Sequence, residues 1–262
     1  MPDLQKADPF LQYAVTSTVL VRFSSVSVLR LPAGSKAVFG IATGNACKQL
    51  TYEPLPLDMM KNQVIIDRRY CGPPDSGNGG YVCGLVAGFL KGQVEVTLRR
   101  PPALDTPMIA QVTDQQHVRL LERSDLVAEG RCVPVDFDVR VRPSFEQAQL
   151  ASERYSGFDQ HFYPTCFVCG PARKAGDGLR VFAGPLQAGE GVAAPWVPDP
   201  SLADATGKVG AEFVWAALDC PGYFAVNPDR HRYMLLGRMA AAIQHHPRPG
   251  DRCVVVAWHS GS

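Results

Sequence analysis

Hydrophobic and polar residues alternate with a period of two in four successive runs of the chain. Val94, Val96 and Leu98 open the series, followed by Met108, Ala110 and Val112, then Val118 and Leu120, then Leu126, Ala128 and Cys132. That period turns one face of a strand to a core and the other to water, so each run predicts a half-buried strand. Pro101-Pro102, Thr113-Asp114 and Arg123-Ser124-Asp125 separate the runs as turns. Ahead of the series, Gln63-Val-Ile-Ile-Asp67 predicts a strand, and Gly80 to Leu90 is apolar enough to predict a helix buried on most sides. One buried helix with antiparallel strands makes an α+β unit.

The second half repeats this scheme with few shared identities. Gly178 to Ala183 and Gly191 to Ala194 are strand candidates, with a Pro-rich loop from Trp196 to Pro200. A helix is predicted from about Gly210 to Asp219, ended by Pro221-Gly222. Strands are predicted at Tyr233 to Ile243 and Arg252 to Trp258. Two further strands would be needed after His259 to match the first half, so the second unit reads as incomplete, with an open edge. The expected organisation is an N-terminal extension of unknown role (1–58), a first unit (59–142), a polar helix-compatible connector (143–159) and a second unit (160–262). Within the extension, Val15 to Leu31 is rich in Val, Ser and Thr but carries no recognisable chemistry. Met59-Met60 directly precedes the first clear strand, and translation is expected to begin at this pair.

Composition narrows the classes. With 26 Lys plus Arg against 25 Asp plus Glu in 262 residues, no global field recruits nucleic acid or an anionic membrane. The eight cysteines are scattered, several inside apolar runs such as Tyr81-Val-Cys-Gly-Leu85, which suits buried free thiols and a cytoplasmic location. No signal-peptide pattern opens the chain, and no uncharged run reaches the ~18 residues of a membrane span.

Candidate chemistry gathers at the two helix starts. Ser76 to Gly80 is a run of small residues where a ligand can approach backbone N–H groups, and Gly79 and Gly80 are candidate binding positions there. Asn78 caps a helix well and can donate to a carbonyl or position water, but it cannot act as a general base. Asp219 is the one acid inside an apolar helical turn, and Ala87 has the same offset in the first half. Glu212 suits its helix macrodipole. Tyr81 and Trp215 are candidates for the wall of a binding pocket. Cys166 and Cys169 form a CxxC pair with His161 upstream, but no second CxxC or His pair at zinc spacing follows. The pair therefore reads as a turn with buried thiols, and no metal is expected.

Cys166-Phe-Val-Cys-Gly-Pro171, followed by Gly178-Leu-Arg-Val181, resembles the opening of hotdog-fold thioesterase-like proteins. Phe213-Val-Trp-Ala-Ala-Leu-Asp-Cys-Pro-Gly222 resembles their central helix. The resemblance covers roughly residues 60–258 and implies a double hotdog, two units each with a helix wrapped by a curved antiparallel sheet. It further implies an acyl-CoA or acyl carrier thioester bound where the units meet. One unit's helix start would hold the carbonyl, and a carboxylate of the other, here Asp219, would activate water or attack. Asn78 stands where many relatives carry His. Coenzyme A would enter as part of the substrate, and a homo-oligomer is expected. A non-catalytic acyl-CoA binding protein and an oligomer-building subunit remain open as alternatives.

Overall fold

The computed structural model describes residues 11–15, 19–25, 62–135, 139, 141–189, 191–227 and 233–259. Its frame is one eleven-stranded antiparallel sheet in the order β3-β5-β6-β7-β4-β10-β2-β1-β11-β9-β8. In chain order the strands are β1 (Leu11–Val15), β2 (Val19–Ser25), β3 (Gln63–Val64), β4 (Val94–Leu98), β5 (Met108–Asp114), β6 (His117–Glu122) and β7 (Asp125–Cys132). They continue with β8 (Gly184–Pro185), β9 (Val192–Trp196), β10 (Arg238–Ile243) and β11 (Cys253–His259). The described residues also form three α-helices, α1 (Gly79–Ala87), α2 (Phe145–Ser152) and α3 (Ala211–Val226), with short 3-10 turns between elements.

The four alternating runs form β4 to β7, as their period requires. Met108, Ala110, Val118 and Leu120 point into the core, while the residues between them are more exposed. β4 and β10 join the two halves antiparallel, with Val96 opposite Met239. On the inner face, α1 packs on β4 and β7, and α3 on β11, β1 and β9. The two helices lie directly against each other, because their contact is built from glycine. A Cβ on Gly80 would meet Trp215 O at 2.6 Å, and one on Gly84 would meet Glu212 Cα at 2.5 Å.

The second half is wrapped on both faces. Cys253, Val255 and Ala257 of β11 join the main core, whereas Val254, Val256 and Trp258 pack with Ala148 and Ala151 of α2 on the other side. That is why β11 reads as a continuous apolar run instead of an alternating one. The segment expected as a connector supplies this covering helix, opened by a capping box between Ser144 and Gln147.

Three local expectations are corrected. The helix expected to stop at Pro221 runs on to Val226. Proline removes one backbone donor and strains one turn, and here it lies in a turn whose Pro221, Gly222 and Phe224 are all buried, so packing outweighs the local cost. Gly178 to Ala183 forms no strand; its N–H groups at Leu179 and Val181 donate instead to Phe167 O and Val168 O. Gln63 to Asp67 is strand only at Gln63–Val64 and passes into a 3-10 turn at Arg68–Tyr70.

β1 and β2 lie within the first 58 residues, in a segment where no strand was expected. They form a hairpin seated between β10 and β11: Leu11 pairs with His259 on one side, and Val19 with Ile243 on the other. With that hairpin in place, β9-β11-β1-β2-β10 reproduces the spatial order β3-β5-β6-β7-β4 of the first half. A chain starting at Met59 would lack both strands.

Candidate functional site

Backbone hydrogen bonds tie down the Gly-rich turn before α1. Gly72 N–H donates to Ser76 O, Gly77 N–H to Pro102 O and Asn78 N–H to Tyr70 O. Asn78 then caps α1, its Oδ1 accepting from Tyr81 N–H at 2.9 Å. Its other side-chain atom, Nδ2, donates to Asp219 Oδ2 at 3.1 Å. Gly80 N–H donates to the same oxygen at 2.8 Å. The helix start of α1 and the carboxylate on α3 thus meet directly, 139 residues apart in sequence. Among the described residues Gly79 N–H has no acceptor.

Asp219 is half-buried, and burial pushes its carboxyl up to about 7, against the hydrogen bonds from Gly80 and Asn78. The neighbouring Cys166 adds to the upward push. A carboxyl so placed can take a proton from water near neutral pH and return it.

Asn78, Gly79 and Asp219 line a cavity of about 380 Å³. Tyr233 to Gly237 form another part of its wall. Arg99 and Arg100 also border it, and each is paired, with Glu129 and Asp125 respectively. Tyr163 lines the cavity as well, and its buried hydroxyl has no hydrogen-bond partner among the described residues.

The six residues expected at the site divide. Asn78, Gly79 and Asp219 share the cavity wall. Gly80 belongs to the helix contact, its absent side chain making room for α3 while its N–H serves Asp219. Tyr81 and Trp215 are buried away from the cavity. The Tyr81 ring stacks on Tyr70 with centroids 4.3 Å apart, and Trp215 packs its Cβ over Gly84. Glu212 folds its carboxylate against Gly210, at the start of its own helix.

A further group in the same wall was not expected as a unit. Cys166, Cys169 and Cys220 bring their three sulfurs within 4.8 Å of one another, with Cys166 and Cys220 3.7 Å apart. His161 Nε2 lies 3.3 Å from Cys169 Sγ. Cys166 is held well below the ordinary thiol range by hydrogen bonds from the Cys169 and Cys220 thiols. Cys169 is pushed up, first by burial, and Cys220 by its bond to Cys166. The sequence signal was the CxxC pair. The third sulfur, 54 residues away and beside Asp219, had none.

Compared with family models, curated proteins and solved structures, the chain matches none.

Proposed function

We propose that this is a double hotdog protein that binds an acyl thioester, and that it acts as an acyl-CoA thioesterase. The reading rests on one observation: the Asp219 carboxylate of α3 stands against the capped start of α1 at the wall of a cavity. Support for the fold comes from the two matching strand orders, each with a helix on its inner face.

In this mechanism the thioester carbonyl oxygen accepts from Gly79 N–H, where the helix start favours the charge that builds on it. Asp219 keeps Oδ2 on Gly80 N–H and Asn78 Nδ2, which fixes the carboxylate and turns Oδ1 to a water. That water loses a proton to Asp219 as its oxygen bonds the carbonyl carbon. The carbon–sulfur bond then breaks, and the proton passes to the departing thiolate. Asn78 holds the base in position, and coenzyme A leaves as the free thiol. No resident cofactor is required, and a homo-oligomer with no nucleic-acid partner remains the expected state. Among the described residues no helix is long and apolar enough to cross a membrane.

One observation favours a second reading, a non-catalytic acyl-CoA binder: Gly80 N–H, a donor that could hold the oxyanion, is already taken by Asp219. Release of free thiol from short-, medium- and long-chain acyl-CoAs separates the two. Turnover by the wild type, falling about 10²–10⁴-fold in Asp219→Asn, establishes the hydrolase. A folded wild type that binds acyl-CoA and turns over no chain length leaves the binder.

A further inference from the structure

Three sulfurs from two separate elements converge on one point beside the cavity. Cys166 and Cys169 come from a tight turn, and Cys220 from the middle of α3. The turn is held in shape without help from the sulfurs. Gly170 N–H donates to Cys166 O at 2.9 Å, Phe167 N–H to Cys71 O at 2.8 Å, and Tyr155 OH to Cys169 O at 2.9 Å. A side chain at Gly170 would strike Cys166 O and Pro164 O at 2.5 Å, so this turn admits only glycine.

The spacing is that of metal ligands. Two thiolates each about 2.3 Å from a tetrahedral zinc stand about 3.8 Å apart, and Cys166 and Cys220 are separated by 3.7 Å. Thiolate sets select soft or borderline cations over magnesium or calcium. His161 stands beside the set. Its Nδ1 accepts from Tyr163 N–H at 2.9 Å, which leaves the ring proton of a neutral imidazole on Nε2, facing Cys169 Sγ. A protonated Nε2 is a hydrogen-bond donor to a thiolate, the part an outer partner plays at a metal site.

We infer that Cys166, Cys169 and Cys220 bind one zinc ion through their sulfurs, with His161 donating to Cys169 from outside and the fourth position taken by a small ligand from the cavity. Binding displaces the remaining thiol protons to solvent. The ion ties the turn at 166–169 to α3 one residue after Asp219, and so fixes how far α3 can rotate relative to the start of α1. This rests on the cysteine cluster alone and stands or falls independently of thioester chemistry.

The test uses the full chain, purified reduced and without chelator, with zinc counted by elemental analysis. About one zinc per chain is expected. After stripping, titration with Co²⁺ should give thiolate-to-cobalt charge transfer in the near ultraviolet that saturates at one equivalent. Saturation should protect Cys166, Cys169 and Cys220 from alkylation. Cys220→Ser should lose about a third of that absorbance, one sulfur in three. His161→Phe should keep the stoichiometry and bind about 10–100-fold more weakly, and Cys132→Ser should change neither. The protection readout needs no variant, so a Cys220→Ser protein that fails to fold does not spoil the test. The assignment is overturned by folded wild type that neither carries zinc nor binds Co²⁺, by stoichiometric copper, or by a disulfide among the three. Loss of all binding in a folded His161→Phe would make His161 a ligand and overturn the open fourth position.

Discussion

The two halves of the molecule share a strand order and a buried inner helix, yet they are built and used differently. The first half takes its strands β3 to β7 from one continuous stretch, and its outer face is left largely to polar residues. The second takes two of its three inner strands, β1 and β2, from residues 11–25 and covers its outer face with α2. The helix starts differ as well. At α1 the carboxylate arrives from the opposite helix and meets a side-chain cap, Asn78. At α3 the cap is Gly210, without a side-chain bond, and the nearby carboxylate is the helix's own Glu212. The position on α1 with the offset that Asp219 has on α3 is Ala87. The same framework thus holds a polar contact between helices at one end and plain packing at the other.

The largest effect should come from removing the borrowed strands. A chain of residues 59–262 leaves β10 and β11 without their shared neighbours, and it should lose the full-length unfolding transition by circular dichroism in urea, keeping at most a smaller one at lower urea from the first half. A sharp transition at the full-length midpoint would mean that the second half does not need β1 and β2.

Next come the two acid positions. Besides the loss expected for Asp219→Asn, Ala87→Asp should create no second activity. It should cost about 3–5 kcal/mol in denaturant unfolding, because the new carboxylate is buried without a partner. A stable, more active Ala87→Asp would show that the second helix start is equally equipped.

The glycines should separate by about 1–3 kcal/mol of overpacking. Gly80→Ala drives a Cβ into Trp215 O and Asp219 Cβ, at 2.6 and 2.7 Å, and should suffer most of that loss. Gly79→Ala comes no closer than 2.9 Å to any atom, Leu236 Cβ being nearest and Asp219 Oδ2 at 3.3 Å, so its cost should be smaller. Equal midpoints for the two variants would contradict the helix contact described here.

The caps should give the smallest difference. Asn78→Ala should cost about 1–2 kcal/mol, as it loses both the cap and the hold on Asp219. Gly210→Asn should stay within about 0.5 kcal/mol of wild type, since glycine already serves as a cap and Glu212 must move aside.

How much of this was legible follows from where the sequence carries its own periodicity. β4 to β7 were readable because one face meets water, and Asp219 because an acid interrupts an apolar helix. β1 and β2 were not, since a strand signal says nothing about a partner more than two hundred residues away, and Arg22 breaks the apolar run. Gly178 to Ala183 has strand composition, but the turn at Phe167 and Val168 takes its N–H groups. Pro221 looked like a stop because local rules price the lost hydrogen bond and not the buried turn around it. Cys220 gave no signal because its partners are close only in space.

The hairpin of β1 and β2 also sets a timetable. Of the eleven described strands, β1 and β2 are synthesised first and their neighbours β10 and β11 last. Until both have emerged, the hairpin's two edges have no lasting partner, and closing so long a loop costs entropy before any pairing repays it. The first half, with its strands contiguous, can assemble during that wait and offer β4 as the template on which β10, then the hairpin, then β11 add in turn.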